Sequence, residues 1–131
     1  MSKPDTVGVQ YLRVRVFNYT FADLPSGTFV PALKLPMGAI LIDAFNLVES
    51  PSNAGTSDVL DIGTAAAPAS FLDNNDFKTT ARTPFTTLGG PFAQGLTMGV
   101  TRTAVGTTAT AGRGSLVVQY VVKGTADEVY G

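Results

Sequence analysis

The sequence predicts an all-β fold: an antiparallel β-sandwich or jelly roll of about eight strands, in one domain spanning residues 1–131. Short runs of Val, Ile, Leu, Phe and Thr alternate with polar residues, the period of two that marks strands. Clusters of Pro, Gly, Ser and Asn punctuate these runs about every dozen residues. No helix-length stretch has a period of 3.6, and no segment repeats another.

Residues 1–6 form a short polar arm, with Pro4 set against regular structure. The first strand is expected over residues 7–21. Leu12, Val14 and Val16 share one face, and Tyr11, Arg13 and Arg15 the other. After Val16 the apolar residues move to odd positions at Phe17, Tyr19 and Phe21, which predicts a bulge or a change of partner sheet near Phe17. Arg13 and Arg15 read as the solvated face of an amphipathic strand, with an anion or partner contact as the functional alternative. After the turn at Asp23-Leu24-Pro25-Ser26-Gly27, residues 28–35 form a second strand that Pro31 demotes to a sheet edge or an irregular extended segment.

The organising stretch is 35–64. Two apolar runs, 39–48 and 57–63, flank Ser50-Pro51-Ser52-Asn53-Ala54-Gly55, which predicts a hairpin or meander with a long loop. In the first run Ile40 and Ile42 share a face, while Leu41, Asp43, Phe45 and Leu47 have the opposite parity. Both faces are partly apolar, as expected for a strand in mid-sandwich or one whose outer face meets another subunit. Residues 64–70 read as a loop because of Pro68.

Residues 72–77, with Asp73 and Asp76, are the most acidic local cluster. Clustered carboxylates near Asp58 and Asp61 raise a Ca²⁺ site, but the EF-hand pattern is absent and an Asx-type turn is the reading adopted. Residues 78–88 alternate and are Thr-rich, with Pro84 at an edge or break, and Gly89-Gly90-Pro91 is a turn. Residues 93–105 place Leu96, Met98 and Val100 on one face and Thr97, Thr101 and Thr103 on the other. Residues 106–114 read as a flexible hairpin loop; they lack the Lys-Ser/Thr of a phosphate loop and lead into no helix. Residues 115–123 are apolar on both faces and belong in the middle of a sheet. Residues 124–131 form a tail.

Composition narrows the chemistry. The chain has no histidine and no cysteine, which removes the commonest general base, thiolate metal sites, disulfides and any Ser-His-Asp or Cys-His arrangement. No cofactor, metal or catalytic residue is expected, and the chain reads as non-enzymatic. Asp58, Asp61, Asp73 and Asp76 are the only carboxylates close enough in sequence to attempt paired-carboxylate chemistry, and their spacing does not make them converge. Net charge is −1 and only 15% of residues are charged, against about 25% in an average domain. Such a Thr- and Gly-rich surface suits a protein packed against neighbours. Basic residues are scattered, so no nucleic-acid footprint is seen. The densest apolar run carries Asp43 and Asn46 and falls short of a membrane span, and no signal peptide is visible.

Leu35-Pro36-Met37-Gly38-Ala39-Ile40, followed after a polar loop by Leu60-Asp61-Ile62-Gly63-Thr64, resembles small β-sandwich virion proteins of tailed bacteriophages, such as head decoration (cement) and fibre-base proteins. The resemblance covers roughly a quarter of the chain and carries no catalytic signature. It implies a virion structural subunit made in the host cytoplasm and assembled on the particle. Its partners would be itself, as a homotrimer, and a lattice of major capsid protein, with no nucleic acid, membrane or small-molecule substrate. A tail, neck or fibre-base component is the alternative at another place on the virion.

A small carbohydrate-binding sandwich is the remaining reading. The chain has no Trp, which leaves Phe85 and Phe92 as the candidates for an exposed platform, with core anchoring as their other role. The candidate partner-contact residues are therefore Lys3, Pro4 and Asp5 in the arm, Val129 and Tyr130 in the tail, and Phe85 and Phe92.

Overall fold

The computed structural model describes residues 12–122. Eight strands alternate between two antiparallel four-stranded sheets. They are β1 (Arg13–Thr20), β2 (Phe29–Leu35), β3 (Ala39–Ser50), β4 (Ser57–Gly63), β5 (Leu72–Asp76), β6 (Ala81–Pro84), β7 (Leu96–Val105) and β8 (Arg113–Val122), with one 3₁₀ turn at Phe21–Asp23. The sheet orders are β1-β8-β3-β6 and β2-β7-β4-β5. Every connection except β4 to β5 crosses from one sheet to the other, which is the jelly-roll way of closing a sandwich.

The core lies between the sheets. Leu41, Ala44, Val48, Leu116, Val118 and Tyr120 face Leu33, Leu35, Leu60, Ile62, Met98 and Val100, and Leu24 and Phe77 are completely buried among them. Each of the Leu, Ile, Val, Met and Phe side chains contributes roughly 1.5–3 kcal/mol by leaving water. As expected, β8 is central, paired to β1 on one side and β3 on the other, and β2 is an edge whose register shifts between Pro31 and Leu33.

Several expectations are corrected. The runs 39–48 and 57–63 do not form a hairpin: β3 and β4 lie in different sheets, and residues 51–56 carry the chain across. Residues 106–112 cross likewise between β7 and β8 and are tied down. The Asn53 side chain accepts from the Thr110 and Ala111 N–H groups at 2.7 and 3.1 Å and donates to Thr110 Oγ1 at 2.8 Å. No bulge interrupts β1, whose pairing to β8 runs unbroken from Arg13↔Tyr120 to Thr20↔Arg113. The bulge is instead in β3, between Leu41 and Asp43. There the extra residue resets the parity, so Ile40, Phe45 and Leu47 share the outer face while Leu41 and Ala44 point inward. Residues 72–76 are the edge strand β5, with Asn74 at φ 52°, and the Asx-type turn lies at its end, where Asp76 Oδ1 accepts from the Lys78 N–H at 2.8 Å.

Candidate assembly interface

The outer faces of the two sheets differ in degree. Outward positions of β2-β7-β4-β5 carry Lys34, Thr97, Thr101, Thr103, Ser57 and Asp61 together with Phe29, Pro31, Val59 and Val105, a mixed surface. Outward positions of β1-β8-β3-β6 carry Val14 and Val16, Val117 and Val121, then Ile40, Phe45 and Leu47, interleaved with Asn18, Gln119, Ser115 and Asp43. Val14 and Val16 are 52% and 50% exposed, and Ile42 on the bulge is 48% exposed. Scattered surface valines are ordinary, but a sheet face apolar across three neighbouring strands marks a surface built to be covered.

This face reverses the expected sides of β1. Counting back from buried Tyr19 through Phe17, the inward parity falls on Arg15 and Arg13, and the valines face out. The arginines escape burial because β1 is an edge: the Arg15 guanidinium reaches over the open side of the sandwich and donates to the Lys34 carbonyl of β2 at 3.3 Å. At the opposite side of the face, the Arg82 guanidinium of β6 sits 3.8 Å from the Phe45 ring centroid, a cation–π contact that holds both groups in place. Arg and aromatic residues with this arrangement are enriched where protein interfaces concentrate their energy.

The face is kept rigid from beneath by two buried polar assemblies. Tyr19 of β1 donates to Asn46 Oδ1 at 2.6 Å, Asn46 donates to Asn75 Oδ1 at 2.6 Å, and Asn75 donates to Thr83 Oγ1 at 3.0 Å. This chain joins β1, β3, β5 and β6 through the core, and burial pushes the Tyr19 hydroxyl pKa well above its ordinary value. Nearer the 51–56 crossover, Arg102 of β7 binds Asp58 of β4. Ser52 Oγ also donates to Asp58, and Arg102 further donates to the Phe21 and Leu24 carbonyls at 3.2 and 3.1 Å. Every polar atom in this cluster is an anchor for a crossover or a turn.

Two further acidic side chains are employed locally. Asp61 accepts from the Asn74 N–H at 2.7 Å. Asp76 accepts from Thr79 Oγ1 and the Lys78 N–H, and these bonds lower its pKa. Among the described residues no three His, Cys, Asp or Glu side chains gather as a metal site would require, and no helix is long and apolar enough to cross a membrane. An open hollow of about 470 Å³ beside Asp23, Glu49 and Arg113 lies at one end of the first sheet.

Of the residues singled out from the sequence, Lys3, Pro4, Asp5, Val129 and Tyr130 lie outside the described residues. Phe85 is turned inward at 8% exposure and Phe92 is half-buried. Their rings pack on Phe71, with centroids 5.8 and 6.4 Å away, so they anchor a corner of the core, and Phe85 has no free face for a partner or a sugar. The outward valines, Phe45 with Arg82, and the Arg102–Asp58 pair were not anticipated. Only the parity of β1 and β8 offered a signal for the first of these.

No protein-family model matches this sequence, and no curated protein matches it significantly. The fold is shared with solved structures. A chain of the capsid asymmetric unit of cyanophage Pam1 superposes with a TM-score of 0.70 at 18% identity, over 88% of this chain and 86% of that one. A chain of the acid-stable capsid of Helicobacter pylori bacteriophage KHP30 superposes with a TM-score of 0.65 at 15% identity, over 87% of this chain and 94% of that one.

Proposed function

We propose that this chain is a non-enzymatic structural subunit of a bacteriophage virion, and more narrowly a decoration (cement) subunit that stabilises a tailed-phage head through lattice contacts. The observation that carries the reading is the apolar outer face of β1-β8-β3-β6 on a jelly roll whose fold recurs in two phage capsid structures. Its action is adhesive. Each copy covers apolar area against a capsid lattice and its own neighbours, arranged as a homotrimer, and many weak contacts on one particle sum to firm retention.

The test uses heads assembled from the major capsid protein of the phage that encodes this chain, with the chain itself left out. Purified protein added to them should sediment with the heads and raise the temperature at which they rupture. Protein that stays in the supernatant at saturating concentration refutes the cement reading.

A further inference from the structure

We propose that the outer face of β1-β8-β3-β6 binds a second copy of this chain, face to face about a two-fold axis. The inference deepens the virion reading, on whose face it rests, by naming a second copy as the neighbour that covers it. The face has apolar residues in its centre and opposite charges set apart along it. Asp43, at the β3 bulge, is outward and exposed, because it pairs with Gln119, which pairs in turn with outward Val14. Arg82 is exposed on the neighbouring strand and lies over Phe45. A two-fold axis lying in the face, crossing β3 near Ala44 at right angles to the strands, sets β3 on β3 and exchanges the strand ends. It therefore brings Asp43 of each copy to Arg82 of the other, twice, with Phe45, Leu47 and Val117 covered between them. An isologous contact needs this kind of self-complementarity.

The alternative self-association, edge to edge through β1, is disfavoured by the same charges. It would bring the Arg13 and Arg15 side chains of two copies together, and no carboxylate pairs with either among the described residues. The size of the face fits a pairwise contact. Four strands at about 4.8 Å spacing and four to twelve residues long present about 550 Å² a side, so the pair buries about 1,100 Å², close to the lower bound for a specific contact. Such a dimer is weak alone and useful where copies are concentrated on a particle. It leaves other surfaces free for three-fold association, in which case the pairing joins trimers.

The experiment is light scattering and sedimentation equilibrium on the full chain across a wide concentration range. The wild type should reach an even number of chains. Val16→Asp, Asp43→Arg and Arg82→Asp should each raise the dissociation constant of the pair by about tenfold or more, with a single cooperative thermal transition as the check on folding. The swapped double variant Asp43→Arg/Arg82→Asp should restore pairing to within about threefold of wild type, since the exchanged charges meet again across the axis. A wild type with the same mass as Val16→Asp at every concentration overturns the proposal, and so does a swap that fails to rescue. Sedimentation with heads is scored separately. A chain that never pairs but binds heads refutes the pairing alone, and one that pairs but ignores heads refutes the cement reading alone.

Discussion

Arg102 and Asp58, 44 residues apart in sequence, meet between the sheets in a two-pronged ion pair. Arg102 Nε lies 2.8 and 2.9 Å from the two Asp58 oxygens and Nη2 2.7 Å from one of them. Both side chains are almost wholly buried. Removing one partner strands the other charge in the core, which costs more than the pair contributes when intact. Arg102→Met should therefore destabilise the chain by about 3–5 kcal/mol in urea unfolding. Arg102→Met/Asp58→Leu should recover much of that loss, because no lone charge remains. If the double variant is as unstable as the single one, the cost lies in the lost Phe21 and Leu24 carbonyl bonds instead.

Tyr19 gives a dependence on alkaline pH. Its hydroxyl is buried and donates to Asn46, so the folded protein holds the proton more tightly than the unfolded chain, where tyrosine ionises near pH ~10. A raised folded-state pKa means the stabilisation is complete below that value and is lost as pH rises above it. Urea unfolding of wild type should weaken between pH 9 and 11, relative to Tyr19→Phe measured at the same pH values. At pH 7 Tyr19→Phe should be less stable than wild type by about 1–3 kcal/mol, because Asn46 Oδ1 loses its donor in the core, and the gap narrows as pH rises. Parallel pH curves for the two proteins would exclude this account.

Gly114 faces Tyr19 across the β1–β8 ladder. A Cβ there would stand 2.5 Å from the Leu47 carbonyl oxygen and 2.5 Å from the Tyr19 hydroxyl oxygen. Neither the carbonyl of β3 nor the bonded hydroxyl can retreat without breaking its own contacts. Gly114→Ala should cost about 1–3 kcal/mol, the range for overfilled cores, and thermal melting would measure it. A neutral substitution would mean that β8 slides more freely against β3 than the ladder implies.

On the outer face the expectation is the opposite. Val16→Ser touches no core group and should leave stability within about 0.5 kcal/mol of wild type. Arg82→Ala, which uncovers Phe45, should cost only about 0.5–1 kcal/mol, the value of an exposed cation–π contact. Chemical unfolding at low protein concentration separates these small effects from any change in association.

The fold class was legible because it depends on local information. The alternation in residues 115–123 placed β8 in mid-sheet, and Pro31 marked β2 as an edge. What stayed hidden was non-local. Ser50-Pro51-Ser52-Asn53 announces a turn, yet the same residues serve a return to the same sheet or a crossing to the other. For β1, the pattern assigned the valines inward and Arg13 and Arg15 outward, on the rule that apolar means buried. That rule inverts on an edge strand whose inward positions open to solvent. Asp58 and Arg102 carry no spacing signal at all, because the topology alone joins them.

The pairing of β1 with β8 has a mechanical consequence. Arg13 and Tyr120 lie side by side, so the strand that begins the fold and the strand that ends it expose their outer limits at one pole. Tension applied across those two points loads the ladder rung by rung, as in opening a zipper, and each hydrogen-bonded rung must resist it alone. A push on the broad faces is shared by the whole sandwich. The paired strands are therefore weak as a tether and strong as a wedge, and any load they bear in an assembly is best carried through the faces rather than through the start of β1 and the end of β8.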